Sequence, residues 1–289
     1  MYILFENLTQ KQTDICALVL SSSRVPHRIT KNKDSWDVWV EQSHYERALE
    51  SMELYFRENR NALPDFREKN VEIRKDTIIS GIIVSIMLLL WYILVQNAGD
   101  VKEVINRFGA SAVKILDGEY YRSVTALMLH KDEVHLAGNM IGLFVFGTAV
   151  CSVTGWGVGW LMVLISGVAG NLTNAFMYES GHVSIGASTA VFGAIGILSG
   201  YQGFKNKRTP KKMKKAWVPV ACGLALLGLL GSGGIEVDIM AHLFGFFCGI
   251  LLGSLYALLI KNPPGKIFQW LSATTVVAIV FLAWSGGGY

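Results

Sequence analysis

Charge is scarce in this 289-residue chain and unevenly spread: Asp, Glu, Lys and Arg make up 17% of it, against roughly 25% in an average soluble domain. More than half of those charges fall within the first 76 residues. The mean hydropathy of +0.38 is therefore an average over a soluble head and a membrane body, which excludes a disordered chain and a nucleic-acid binder. Cysteine is scarce too. Cys16, Cys151, Cys222 and Cys248 show no CxxC spacing, and three of them lie inside apolar runs, so neither a disulfide framework nor a zinc ribbon is available. Also missing is a basic stretch ahead of an apolar run in MYILFENLTQKQTDICALVL. A cleavable signal peptide is not expected, and the amino terminus is expected to stay in the cytoplasm.

What is present in abundance is apolar length. A bilayer core of about 30 Å takes about 20 apolar residues in helix, and seven spans are expected: Thr77–Gln96, Val134–Thr154, Trp156–Tyr178, Val183–Phe204, Ala216–Gly234, Val237–Ile260 and Ile267–Ser285. Lys and Arg in short loops stay on the cytoplasmic side. The basic cluster Lys205, Lys207, Arg208, Lys211, Lys212, Lys214 and Lys215 puts the loop after span four inside. Lys261 and Lys266, and Arg74 and Lys75 ahead of span one, agree with it. The expectation is a multi-pass protein of the cell (inner or plasma) membrane with its carboxyl terminus outside. The basic cluster also attracts anionic membrane lipid, by about 1 kcal/mol per charge near the surface.

Residues 1–70 read as a small α+β accessory domain in the cytosol, with a helix over Thr9–Leu20, a strand at Trp36–Val40 and a second helix in which Ala48, Met52 and Tyr55 recur at helical spacing. Its His27 and His44 read as surface residues. The segment Asn97–Glu133 carries 5 basic and 6 acidic residues among apolar stretches. It is too long for a plain connection, and a partly helical outer loop at the interface is expected.

Polar side chains within spans are costly and point to function. His135 and Asn139, at i and i+4, share one face of span two. Ser188 lies five residues into span four and His242 five residues into span six, so each is expected roughly 7–8 Å below the outer boundary. Spans two, four and six run in the same direction, which brings these residues to one depth. Span six carries Gly245, Gly249 and Gly253, and span four carries Ala190, Gly193, Ala194, Gly196 and Gly200. Small residues at such spacing let two helix backbones approach closely. A serine, a histidine and a His/Asn pair supply a nucleophile, a base and oxyanion donors. No HExxH zinc signature occurs. A transporter's charged pairs at mid-membrane are lacking as well, and only Asp238 lies near a span, whereas an aspartyl intramembrane protease needs two aspartates.

GASTAVFGAIG (186–196), AHLFGFFCG (241–249) and HLAGN (135–139) together resemble the three signatures of the rhomboid family of intramembrane serine proteases. The resemblance runs from about Thr77 to Ile260. Glu119-Tyr120-Tyr121-Arg122 is similar to the family's ExWR loop element, and His130 falls where many members carry a histidine. The resemblance implies an all-α polytopic membrane protein, a six-helix bundle over residues 71–262. An extra seventh helix over 263–289 follows it, and the small α+β domain precedes it. It also implies that Ser188 is the nucleophile and His242 the general base, a dyad without an acid. His135, Asn139 and the backbone N–H of Ser188 would bind the oxyanion. Phe192 would pack on the catalytic imidazole, with Gly186, Gly245 and Arg122 in support. Neither metal nor cofactor is implied, and the expected partners are transmembrane protein substrates and membrane lipids. Thr189 stands where the family commonly has glycine, and its β-branch is expected to narrow the substrate subsite. Tyr121 replaces tryptophan, and Phe192 a frequent tyrosine. The alternative is a rhomboid-like protein that binds membrane clients without cutting them.

Overall fold

A computed structural model describes residues 1–32, 35–59, 75–177, 183–205, 238–260 and 262–287. The chain divides into two compact units, one built on the amino-terminal residues and one on the membrane helices. In the first, strands β1 (Tyr2–Leu8), β2 (His27–Asn32) and β3 (Ser35–Val40) form an antiparallel sheet in the order β1-β3-β2. Helices α1 (Gln10–Ser22) and α2 (Tyr45–Glu58) complete it. Thr9 opens α1 with a capping box shared with Gln12, which satisfies two backbone donors reciprocally. The core gathers Leu4, Leu8, Cys16, Leu20, Val38, Val40, Ala48 and Met52. Ala48 and Met52 are one helical turn apart, which is why their spacing was readable. Burial pushes the Cys16 thiol up to about 12, so it acts as a small apolar side chain. His27 is half-buried, with Nδ1 2.9 Å from the Val25 carbonyl.

The second unit opens with α3 (Lys75–Asn97). The outer segment that follows holds α4 (Val101–Phe108), β4 (Ala110–Ser111), α5 (Ala112–Leu116) and α6 (Arg122–Thr125), then a single 3₁₀ turn over Ala126–Met128. The second span is α7 (Glu133–Gly142) and α8 (Thr148–Thr154), joined by a π-helical turn over Leu143–Gly147. After it come α9 (Trp156–Met177), β5 (Val183–Ser184), α10 (Ser188–Lys205), α11 (Ile239–Leu259) and α12 (Lys266–Gly286). Among the described residues, five helices are long and apolar enough to cross a membrane: Asp76–Asn97, Glu133–Thr154, Trp156–Met177, Ile239–Leu259 and Lys266–Gly286. The protein is an integral membrane protein. The expected fifth span, Ala216–Gly234, and the basic cluster from Lys207 to Lys215 lie outside the described residues.

Helix α10 is not among the five, for a physical reason. Every residue from Thr189 to Gly200 is buried, so the helix meets protein rather than lipid and can be rich in glycine and serine. Its start also differs from expectation. Val183 and Ser184 are extended and pair antiparallel with Ser111 and Ala110, and the helix begins only at Ser188. The turn between them needs Gly186, whose φ of +119° suits a residue without a side chain. Ser188 is thus the first residue of its helix rather than more than a turn inside one, and the depth obtained by counting from Val183 is superseded.

Candidate active site

Two helix beginnings face each other. Helix α11 is capped by Asp238, whose Oδ1 accepts the Ala241 N–H at 3.0 Å, making His242 its fourth residue. Ser188 begins α10. The structure brings Ser188 Oγ and His242 Nε2 to 2.6 Å, a strong hydrogen bond by distance. Their helices come this close because the small-residue ridges interlock: Gly245 lies on the backbone of Thr189, Gly249 on Gly193, and Gly253 on Ile197. The Phe192 ring stacks on the His242 imidazole, centroids 4.8 Å apart and planes 20° from parallel, which fixes the ring's plane. His242 is 4% exposed, and its Nδ1 has no hydrogen-bond partner among the described residues. The nearby acid, Asp238, spends its oxygens on the Ala241 N–H and on Asn174 Nδ2 at 2.7 Å.

His135 and Asn139 reach the same place from α7. A β-carbon on Gly186 would fall 2.6 Å from His135 Nε2 and 3.4 Å from Asn139 Nδ2. Both side chains therefore flank the turn immediately before Ser188. Asp132 caps α7 by accepting the His135 N–H at 2.8 Å, and Asn139 Nδ2 donates to the His135 carbonyl at 3.1 Å, which leaves that amide a second N–H. Ser188 and His135 are half-buried, so the cluster is not sealed. Thr189 corrects the expectation for it: it is 3% exposed, and its methyl lies beside Gly170 and Gly245. The β-branch fills a helix junction and does not narrow a subsite.

Arg122 sits apart from these residues and organises the outer segment. Its Nε donates to Glu119 Oε2 at 2.6 Å, and Nη1 donates to the carbonyls of Asn106 at 2.7 Å and Gly109 at 3.1 Å. Tyr121 Oη donates to the same Glu119 oxygen at 2.9 Å. The Arg122 hydrogen bond chiefly, with Tyr121 and the nearby cations, holds the Glu119 carboxyl below its ordinary value. This network aligns Gly109 with β4, whose pairing with β5 sets the approach to Gly186.

Sequence reasoning left several site-supporting groups unassigned. His130 Nε2 accepts the Ala187 N–H at 3.5 Å, and its ring lies 5.3 Å from that of His135. Burial, with His135 beside it, pulls His130 down to about 4, so it is neutral and able to accept. Asp132 and Asp238 each precede an apolar helix, a capping signal visible in the sequence. Asn174 gave no such signal, because its partner is 64 positions away.

A helical membrane protein whose first-turn serine and histidine share a hydrogen bond belongs to a narrow class, and comparison with known proteins agrees. A Rhomboid domain matches residues 117–259. Residues 117–259 thus form a domain of the rhomboid family. YdcA of Bacillus subtilis (strain 168) is 29% identical over 141 residues, covering 49% of this chain and 69% of that one. Rhomboid protease GluP of the same organism is 29% identical over 200 residues, covering 68% of this chain and 38% of GluP. RHOMBOID-like protein 4 of Arabidopsis thaliana is 34% identical over 167 residues, covering 56% of this chain and 40% of that protein. The chain thus spans well under half the length of the last two.

Proposed function

We propose that the protein is an intramembrane serine endopeptidase that cuts transmembrane proteins near the outer face of the membrane, using Ser188 and His242 as a dyad. The observation that carries this reading is the 2.6 Å contact between Ser188 Oγ and His242 Nε2 at the starts of two interlocked helices. With the ring proton on Nδ1, Nε2 accepts the serine proton as Oγ attacks the scissile carbonyl carbon. The resulting oxyanion is met by His135, the free N–H of Asn139 and the backbone N–H of Ser188, which as a first-turn donor lacks an intrahelical partner. His242 then passes its proton to the leaving amine as the C–N bond breaks. Water attacks the acyl-serine, giving a proton to His242, which returns it to Ser188.

Among the described residues no carboxylate supports Nδ1, and the stacked Phe192 ring orients the imidazole. A helical substrate must unwind to offer a peptide bond, because its carbonyls are otherwise bonded within the helix. Segments with small or helix-destabilising residues near the outer membrane surface are therefore preferred. The orientation, amino terminus inside and carboxyl terminus outside, follows from the basic residues.

Purified protein incubated with a panel of single-span membrane proteins, with cut sites mapped by mass spectrometry, tests the proposal. Cleavage is expected for the unaltered chain and not for Ser188→Ala or His242→Ala, with all three equally folded. Full cleavage by either variant would refute the dyad. A client-binding protein would retain its substrates uncut in all three.

A further inference from the structure

Helix α12 contributes no atom to the proposed machinery, yet both of its ends are pinned by contacts that lipid-facing packing does not require. In its first turn Gln269, 5% exposed, uses its whole side-chain amide. Oε1 accepts the N–H groups of Gly157 at 2.8 Å and Val158 at 3.0 Å, while Nε2 donates to the carbonyls of Thr154 at 3.2 Å and Pro264 at 3.0 Å. One residue thereby satisfies the open end of α8 and the open start of α9. At the other end the Trp284 ring lies 4.5 Å from Trp91 of α3 and 4.5 Å from Phe108 of α4. Its Nε1–H points to Met128 Sδ at 3.2 Å, and Arg107 Nε donates to the Gly287 carbonyl at 2.6 Å.

Met128 ends the 3₁₀ turn whose first carbonyl, that of Ala126, accepts the Gly186 N–H at 2.9 Å. Two residues later, His130 accepts the Ala187 N–H. The segment that Trp284 touches therefore holds the two residues that precede Ser188 by their N–H groups, one bonded to the Ala126 carbonyl and one to the His130 side chain. We propose that α12 braces this turn, with Trp284 as its positioning residue; the proposal rests on the reading of Ser188 as the nucleophile. Without the indole, the segment from Ala126 to His130 is no longer wedged against α3 and α4. Gly186 and Ala187 then lose their fixed anchor, and Ser188 Oγ spends less time aligned with His242. Substrate-binding contacts elsewhere are untouched, so turnover falls rather than affinity.

The test uses the full chain in liposomes with a cleavable single-span reporter. Trp284→Ala is expected to lower kcat about ten- to a hundredfold with KM changed by less than about twofold, the scale of a small misplacement of a reacting atom. Trp284→Phe should recover most of it. Val277→Ala, on the lipid-facing side of the same helix at 62% exposure, should leave kcat unchanged. Hydrogen exchange in Trp284→Ala should quicken at residues 126–130 and 184–188 while the rest of α10 stays protected. Unchanged kcat and exchange in Trp284→Ala would overturn the brace, and Trp284→Leu carries the same test should the alanine variant not fold. An unaltered protein that cuts no reporter would instead overturn the reading of Ser188.

Discussion

Replacing Gly245 by alanine probes how strictly helix spacing governs the proposed chemistry. A β-carbon there would lie 2.9 Å from Thr189 Cγ2 and 3.2 Å from the Thr189 carbonyl carbon, with the carbonyl oxygen nearer still. The methyl of Thr189 can rotate, but its backbone cannot yield without moving the residue next to Ser188. Restoring an ordinary carbon contact of about 3.5–4 Å requires α11 to withdraw from α10 by about 0.5–1 Å at that level. His242 is three residues from Gly245, less than one turn, so most of the shift reaches its ring. The 2.6 Å separation of Ser188 Oγ and His242 Nε2 then opens to the limit of hydrogen bonding. A displacement of this size costs about 10²-fold in turnover, equivalent to about 2.7 kcal/mol in the barrier. Overpacking should also cost about 1–3 kcal/mol of stability, so kcat must be read on the reporter well below the melting midpoint. Gly203→Ala, in α10 but with nothing near its added methyl, is the matched control. Turnover of Gly245→Ala within about twofold of the unaltered chain would refute the link between spacing and rate that misplacement arguments assume.

Asn139→Ala removes a donor beside Gly186 without touching the dyad, and kcat on the same reporter should fall about 10²–10³-fold with little change in KM. A comparable rise in KM with kcat unchanged would instead make Asn139 a ground-state binding residue. His130 is held near 4 by burial, below the 6.5 of an exposed imidazole, so the unfolded chain binds more protons between those values. Stability of the membrane unit should therefore be full above about pH 6.5 and decline as pH falls toward about 4. Thermal melts across that window should show a shallower decline in His130→Gln, and parallel curves would remove His130 from the explanation.

How much of this was legible beforehand depended on whether the signal was local. HLAGN, GAST and AHLFG each occupy a few consecutive residues, so the side chains could be named at once. The glycine ridges repeat every three or four residues, so their interlocking could be foreseen from spacing. The start of α10 could not. An apolar stretch from Val183 to Phe204 has the length of a span, and its first residues are extended because Ser184 pairs with Ala110 and Val183 with Ser111, far back in the chain. The narrowing assigned to Thr189 failed for a similar reason, since the side chain's direction depends on Gly170 and Gly245 from other helices. Gln269 reads as one more polar residue at a span boundary until the α8–α9 junction, 112 residues upstream of it, supplies its partners.

The dyad itself is tested most directly by a fluorophosphonate probe, which phosphonylates a serine, with loss of fluoride, only when its hydroxyl is activated. After reaction with the folded protein in liposomes, tryptic mapping should find the adduct on Ser188 alone, and His242→Ala should abolish it. An adduct on another residue, or undiminished labelling of Ser188 without the imidazole, would contradict the account.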